Sequence, residues 1–368
     1  MVRMPDPLFA SVNLLQRHPA NPLLKAAYVP YPCSLLFNAG VAKFQGRYVM
    51  VFRNDYGAMN GAEFLERQAN GRPGFDGTNL GLAFSDDGIS WEVQPHPCIT
   101  LDKARELIAP LMPAKDPEIE LHRFYDPRLT VIDNRVYMCF AIDTAHGLRG
   151  GVAATDDFEN WEVLSASVPD NRNMVLFPEK IGGHYYRFER AVNTFGGLHL
   201  APDQAMMWCS RSPDLRHWGF SQHVLATEDI PFANSKMGPG APPIKTAKGW
   251  LTTFHGVWQD DTRGKNGWES KWPKIYMAGL MLMDLEEPWK IIGFSDKPLL
   301  SPEAWYETGK GVPQGESFEG FRNHVIFPGG MILEDSGEVK IYYGAADTVE
   351  CLATADVGDL LQCVRCKP

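Results

Sequence analysis

Nine polar residues stand at equivalent places in a hairpin that recurs along the chain. Asn38, Asp126, Arg172, Lys236 and His324 lie where a first strand begins, and Arg53, Arg190, His255 and Asp347 where a second strand ends. In an antiparallel hairpin those two places are neighbours, so the residues there share one face of whatever the hairpins build. A structural repeat alone would fill such places with small or apolar residues, yet all of these except Asn38 are ionisable. The formal charge of the chain is -10, so cations gathered at one place need a specific reason. Two carboxylic acids, Asp126 and Asp347, among cationic side chains at Arg53, Arg172, Arg190, Lys236, His255 and His324 suggest a dedicated anion site with an acid beside it.

Each residue also has a plainer reading. Asp126 can cap a turn before Pro127, and Arg190 can pair with Glu189. His255 follows an apolar strand and can be a satisfied core histidine. Lys236 sits among glycines and prolines, which favours a positioned loop cation.

The elements that would position these groups are five hairpins, VAKFQGRYVMVFR, LTVIDNRVYMCFAI, FPEKIGGHYYRFER, PPIKTAKGWLTTFHG and MILEDSGEVKIYYG, each an apolar run, a turn and a second β-rich run. Several are followed by a further strand and a polar turn closing on tryptophan: AFSDDGISWEV, AATDDFENWEV and CSRSPDLRHWGF. Small sheets repeating at this spacing need neighbours to bury both faces, which predicts a five-bladed β-propeller. Helical periodicity is weak, the best stretch being Asp102 to Leu111, which disfavours Rossmann and α/β-barrel folds. The expected organisation is a single domain over residues 1–368, with terminal extensions that pack on it or mediate association. Insertions at Asn60 to Asn79, Ala104 to Phe124 and Gln259 to Lys274 are expected to cover the open face.

Composition narrows the function classes. At 44% hydrophobic and 22% charged residues the chain reads as globular. It has no apolar run long enough to span a membrane, and its acidic balance argues against nucleic acid as a partner. Seven scattered cysteines argue against a disulfide framework, and Cys363 and Cys366 form a lone C-x-x-C without the second pair a metal site needs. These features predict a cytoplasmic protein, and no motif implies a cofactor.

The segments YDPRLTVIDNRVYM, NRNMVLFPEKIGG, KMGPGAPPIKTAKGWLTTFHGV, LMLMDLEEPWKI and IYYGAADT, in that order, closely resemble glycoside hydrolase family 130, the mannoside phosphorylases. The resemblance implies a five-bladed propeller and inverting phosphorolysis of β-mannosides to α-mannose 1-phosphate. It implies Asp126 as general acid, acting directly or through a substrate hydroxyl. It implies Arg172, Arg190, Lys236, His255 and Tyr276 as phosphate-binding residues. Asn38, Arg53, Asp55, Arg128 and Asp347 become candidates for gripping the sugar, although Asp55 and Asp347 also suit turns and Tyr276 a core. Inorganic phosphate is then a co-substrate, an oligosaccharide the partner, and a homo-oligomer is open because family members often self-associate.

The chemistry fits the residue types. An inverting hydrolase needs a second carboxylate to activate water. Phosphate is already a nucleophile and needs only to be held by cations in line with the leaving group. Trp258, Trp268 and Trp272 are candidates for stacking on the acceptor sugar. ERAVNTFGG stands where mannosylglucose phosphorylases read closer to S-R-P-S-D, and PQGESFEGFRNH is an extended stretch. Both are expected to border the acceptor, so linkage and acceptor remain open. The competing readings are a β-mannoside hydrolase on the same fold and a non-catalytic sugar-binding propeller.

Overall fold

The computed structural model describes residues 7–111, 121–145, 147–192 and 205–366. Its strands form five antiparallel sheets. The first contains Leu35–Phe44, Arg47–Gly57, Phe75–Ser85 and Glu92–Val93, and the second Leu121–Ile132, Arg135–Thr144, Gly147–Thr155 and Glu162–Ala166. The third contains Asn171–Leu176, Tyr185–Val192, Ala205–Ser212 and Gly219–Leu225. In the fourth, Lys236–Pro239 and Ile244–Thr246 both pair with Gly249–Gln259, which is followed by Lys274–Met283 and Ile291–Phe294. The fifth contains Ile326–Leu333, Glu338–Ala345 and Val349–Asp356.

Local chemistry explains the hairpins. Gln45-Gly46 and Asp133-Asn134 place two consecutive residues in the left-handed region, the geometry of the tightest hairpin turns. Strands such as Leu35–Phe44 are buried along nearly their whole length, whereas the outlying Gly219–Leu225 is mostly exposed. Apolar clusters fill the gaps between neighbours. Val51 and Leu80 meet Phe124 and Met138 between the first and second sheets, and Cys139 and Val152 meet Leu176 between the second and third. Phe188 and Met207 meet Phe254 and Met281, Leu251 and Leu280 meet Val339 and Ile341, and Tyr342 and Leu352 meet Met50 and Phe52. Each sheet therefore packs on two others, an all-β, propeller-like arrangement.

The first and last strands of the described residues pair into these sheets. Gln16–Arg17 pairs with Val349–Asp356, and Arg17 donates to both oxygens of the wholly buried Glu307, at 2.8 and 3.0 Å. Arg365–Cys366 pairs with Ile291–Phe294. The stretch with the best, though weak, helical periodicity, Asp102 to Leu111, overlaps a helix at Leu101–Ile108, with the Thr100 side chain accepting from the Lys103 N–H. A helix that periodicity did not reveal, Gly61–Ala69, lies inside the Asn60 to Asn79 insertion, capped by Asn60. Nine residues are too few for a clear periodic signal.

Candidate active site

The residues read as chemical converge on a cavity of about 320 Å³ where first strands begin and second strands end. It is lined by Asn38, Arg53, Asp55, Asp126, Arg172, Arg190, Tyr276 and Asp347 from the sequence-derived set. Backbone geometry puts them there. The pairing register slips between Phe37 and Gly40, between Tyr125 and Arg128, and between Arg172 and Val175. At each slip one residue adopts a left-handed backbone: Asn38 (φ 53), Asp126 (φ 52) and Asn173 (φ 56). Such a bulge re-aims a side chain out of the ladder. In the third sheet the residue equivalent to Asp126 is thus Asn173 rather than Arg172, a correction of one position.

Asp126 accepts from Asn38 Nδ2 at 3.2 Å and from Arg53 Nη1 at 3.4 Å, both on Oδ1. Arg53 is itself held in a fork, donating to Asp55 Oδ1 at 3.0 Å and Oδ2 at 2.6 Å, while Thr78 also donates to Asp55. Asp347 accepts from Arg322 at 3.3 Å. Burial pushes the Asp347 carboxyl above its ordinary range, against the pull of Arg322 and Arg53. Behind the first bulge the wholly buried Glu350 accepts from the Ala39 N–H at 3.3 Å, and burial pushes its carboxyl up to about 8.

Arg172 and Arg190 are directly opposed across a strand pair. Neither forms an ion pair with a carboxylate among the described residues, and the Nε of each is buried without a partner. Burial, then the charge of Arg172, pulls Arg190 down to about 9. Two like charges side by side, one buried and one half-buried, are costly without a counter-ion unless an anion joins them. Arg172 donates to the Tyr125 hydroxyl at 3.0 Å, and Arg190 Nη1 lies 3.0 Å from His255 Nε2.

Three of the sequence-derived residues do not line the cavity. His255 is fully buried, its Nδ1 3.1 Å from the Pro239 carbonyl. Burial, then Arg190 and Lys236, holds its pKa well below the ordinary value. It is therefore a neutral imidazole that donates from Nδ1 and accepts from Arg190, rather than a cation facing an anion. Arg128 spends its guanidinium on the carbonyls of Gly240, Asn38 and Pro127, so it braces the bulges instead of reaching a sugar. Lys236 lies under Tyr276, its Nζ 5.8 Å from the ring centroid.

His324, from the strand-start set, also stays outside the cavity, bonded to Asn266; burial, then Arg263 and Lys310, pulls it down to about 4. The tryptophans are displaced as well. Trp268 and Trp272 are buried, Trp272 stacking on Tyr276, and Trp258 packs against Phe9.

Phenylalanine rings take the place of those indoles at the wall: Phe64 and Phe75 from the first insertion, and Phe321 from the FEGFRNH segment. Sequence reasoning also missed Asn173, Tyr125, Arg123, and the pair in which Arg322 donates to Glu269 at 2.8 and 3.0 Å. A signal for Asn173 existed: Asn and Asp are the side chains that best tolerate a left-handed backbone, and FNAG, YDPR and RNMV align on it. The ERAVNTFGG segment, expected beside the acceptor, is described only as far as Val192, and the Ala104 to Phe124 insertion, expected over the open face, is described without 112–120, so both expectations lie partly outside the described residues.

The protein family described as β-1,4-mannooligosaccharide phosphorylase matches residues 16–366. The chain belongs to glycoside hydrolase family 130. A family 130 relative from Ruminococcus albus, a β-1,4-mannooligosaccharide phosphorylase, is 30% identical over 365 residues, covering 96% of this chain and 91% of the relative. A 4-O-β-D-mannosyl-D-glucose phosphorylase from Bacteroides fragilis is 26% identical over 344 residues, covering 88% and 73%. The solved β-1,2-mannobiose phosphorylase of Listeria innocua superposes with a TM-score of 0.73 at 23% identity, covering 95% of this chain and 99% of that one. At that identity it speaks for the family 130 fold alone.

Proposed function

We propose that this chain is an inverting phosphorylase that transfers the mannosyl group of a β-mannoside to inorganic phosphate, releasing α-mannose 1-phosphate. The observation that carries the reading is the opposed pair of half-buried Arg172 and buried Arg190, which share a cavity with Asp126 and make no ion pair with a carboxylate among the described residues. Guanidinium groups suit phosphate because they offer paired N–H donors. In the proposed step a phosphate oxygen attacks the anomeric carbon as its bond to the leaving oxygen breaks, and the proton of Asp126 goes to that oxygen directly or through a sugar hydroxyl. Both protein contacts of Asp126 fall on Oδ1, which leaves Oδ2 to carry the proton. Asn38, Arg53, Asp55 and Asp347 hold the sugar, and Tyr276 and Asn173 border the phosphate.

On the same footing, the five sheets are read as the blades of one five-bladed propeller forming a single catalytic domain. The relatives' names cover β-1,4 and β-1,2 linkages and a glucose acceptor, so the linkage is left to experiment. The test is incubation of β-1,4-mannobiose, β-1,2-mannobiose and mannosylglucose with and without phosphate. Phosphate-dependent appearance of α-mannose 1-phosphate is expected from at least one; free mannose released equally in both conditions would mean hydrolysis and overturn the reading.

A further inference from the structure

Asp143 has no place in the reaction as described, yet it ends a chain of hydrogen bonds that reaches the anion site. The Tyr125 hydroxyl donates to Asp143 Oδ1 at 2.7 Å and accepts from Arg172 Nη1 at 3.0 Å. Arg123 closes on the far side of the carboxylate, its Nε donating to Oδ2 at 2.7 Å and its Nη2 to the same atom. Tyr125 is buried, at 1% exposure, and its ring lies between two guanidinium groups, Arg53 at 5.1 Å and Arg123 at 4.9 Å from the centroid. The hydroxyl therefore has one orientation: its proton is committed to Asp143, so its lone pair faces Arg172.

Arg172 needs such a tether. It stands opposite Arg190 on the same strand pair, and two like charges in a buried site push each other apart. Arg190 is tied back by neutral His255, and Arg172 has only the Tyr125 hydroxyl as a side-chain partner among the described residues. Asp143 supplies negative charge at one remove: close enough to offset Arg172, while the intervening tyrosine keeps the carboxylate from occupying the guanidinium itself. A direct Asp–Arg pair would neutralise the cation and consume its paired donors, which phosphate requires.

We infer that Tyr125 and Asp143 are positioning residues for phosphate: the Asp143–Tyr125 pair fixes the Arg172 guanidinium beside Arg190 and leaves its remaining N–H groups for the anion. This deepens, and rests on, the proposal that phosphate is the nucleophile. It predicts a selective effect, because the same tyrosine precedes Asp126 in the chain but forms no hydrogen bond with that acid among the described residues.

The experiment measures steady-state kinetics with phosphate and with mannoside varied separately, together with calorimetric titration of inorganic phosphate into the enzyme alone. Tyr125→Phe keeps the buried ring and removes the hydroxyl. It is expected to raise KM and Kd for phosphate about tenfold, with KM for the mannoside within about twofold. Asp143→Asn is expected to shift phosphate binding in the same direction by a smaller factor. In the double variant the two losses should not multiply, because both act through one hydroxyl. The inference is overturned if Tyr125→Phe leaves phosphate affinity unchanged, if both KM values rise together, or if the two losses multiply. A native enzyme that binds no phosphate and turns over without it would sink the phosphorylase reading as well, which separates the two failures.

Discussion

Aspartate is used in two opposite ways at two places in the same sheets. In the turns at Ser85–Trp91, Thr155–Trp161 and Ser212–Trp218, an aspartate closes on its own backbone. Asp87 accepts from Ile89 and Ser90, Asp157 from Glu159 and Asn160, and Asp214 from Arg216 and His217. Each turn also carries a left-handed residue, Gly88, Phe158 or Leu215, and the side chains of the last two are buried under neighbouring strands. Here the left-handed backbones of Phe158 and Leu215 are matched by local bonds and packing. At the cavity, Asn38, Asp126 and Asn173 hold the same backbone conformation, but their surroundings are left incomplete. The Oδ1 atoms of Asn38, Asn171 and Asn173 and the Nε atoms of Arg172 and Arg190 are buried without partners. Strain and unmet polarity together mark where a ligand completes the structure.

That contrast is broken most directly at Asp126. Asp126→Asn keeps the bonds to Asn38 and Arg53 but cannot supply the acid proton, so kcat on a mannoside with a poor leaving group should fall by roughly 10² to 10⁴. A calorimetric melt should be nearly unchanged. Near-normal turnover would show that the bulge residue is structural, like its counterparts in the turns.

A second test separates function from stability. Arg190→Met fills the volume with an apolar chain and relieves the repulsion with Arg172, so the melting temperature should hold or rise while KM for phosphate climbs by roughly tenfold or more. A melting temperature that falls with unchanged phosphate affinity would place Arg190 among the structural residues. Asn173→Gly is milder. Glycine accepts φ 56 without cost, so only the side chain is lost. A reduction of kcat/KM of about fivefold, with no loss of stability, is expected.

Much of this architecture was legible because it rests on local chemistry. Gln45-Gly46 and Asp133-Asn134 specify tight hairpins, and the Ser/Thr-x-Asp turns ending on Trp91, Trp161 and Trp218 mark equivalent places in the first three sheets. The cavity set was legible to the extent that strand ends were. Where it went astray, backbone irregularity, burial and tertiary contacts were the reason. Arg172 was aligned by its charge although the bulge beside it shifts the register by one residue. Residue type could not report that His255 is kept neutral by burial and by Arg190. Arg128 looked available until its guanidinium met three carbonyls contributed by separate parts of the chain. Arg322, Glu269 and Phe64 sit in insertions whose paths no periodicity constrains, and only tertiary packing brings them to one wall.

The smallest effect is expected where the aspartate is best satisfied. Backbone N–H bonds from Asn160 and Glu159, with the Asn160 side chain, hold the Asp157 carboxyl down at about 2, and Asp87 is lowered to about 2 in the same way, first by the Ser90 N–H. A carboxyl depressed by folding stabilises the fold fully above the ordinary aspartate range near 4, and that contribution fades as pH falls toward about 2. Asp157→Ala should therefore lower the melting temperature slightly at pH 7, and the gap to the native chain should close as the melts are carried down through pH 4 toward pH 2. Because this turn lies away from the cavity, kcat/KM should stay within about twofold. If Asp157→Ala cut activity as Asp126→Asn does, or if its stability deficit persisted unchanged in acid, the division between satisfied turns and unsatisfied bulges would fail, since the turn would then be doing something other than holding its own backbone.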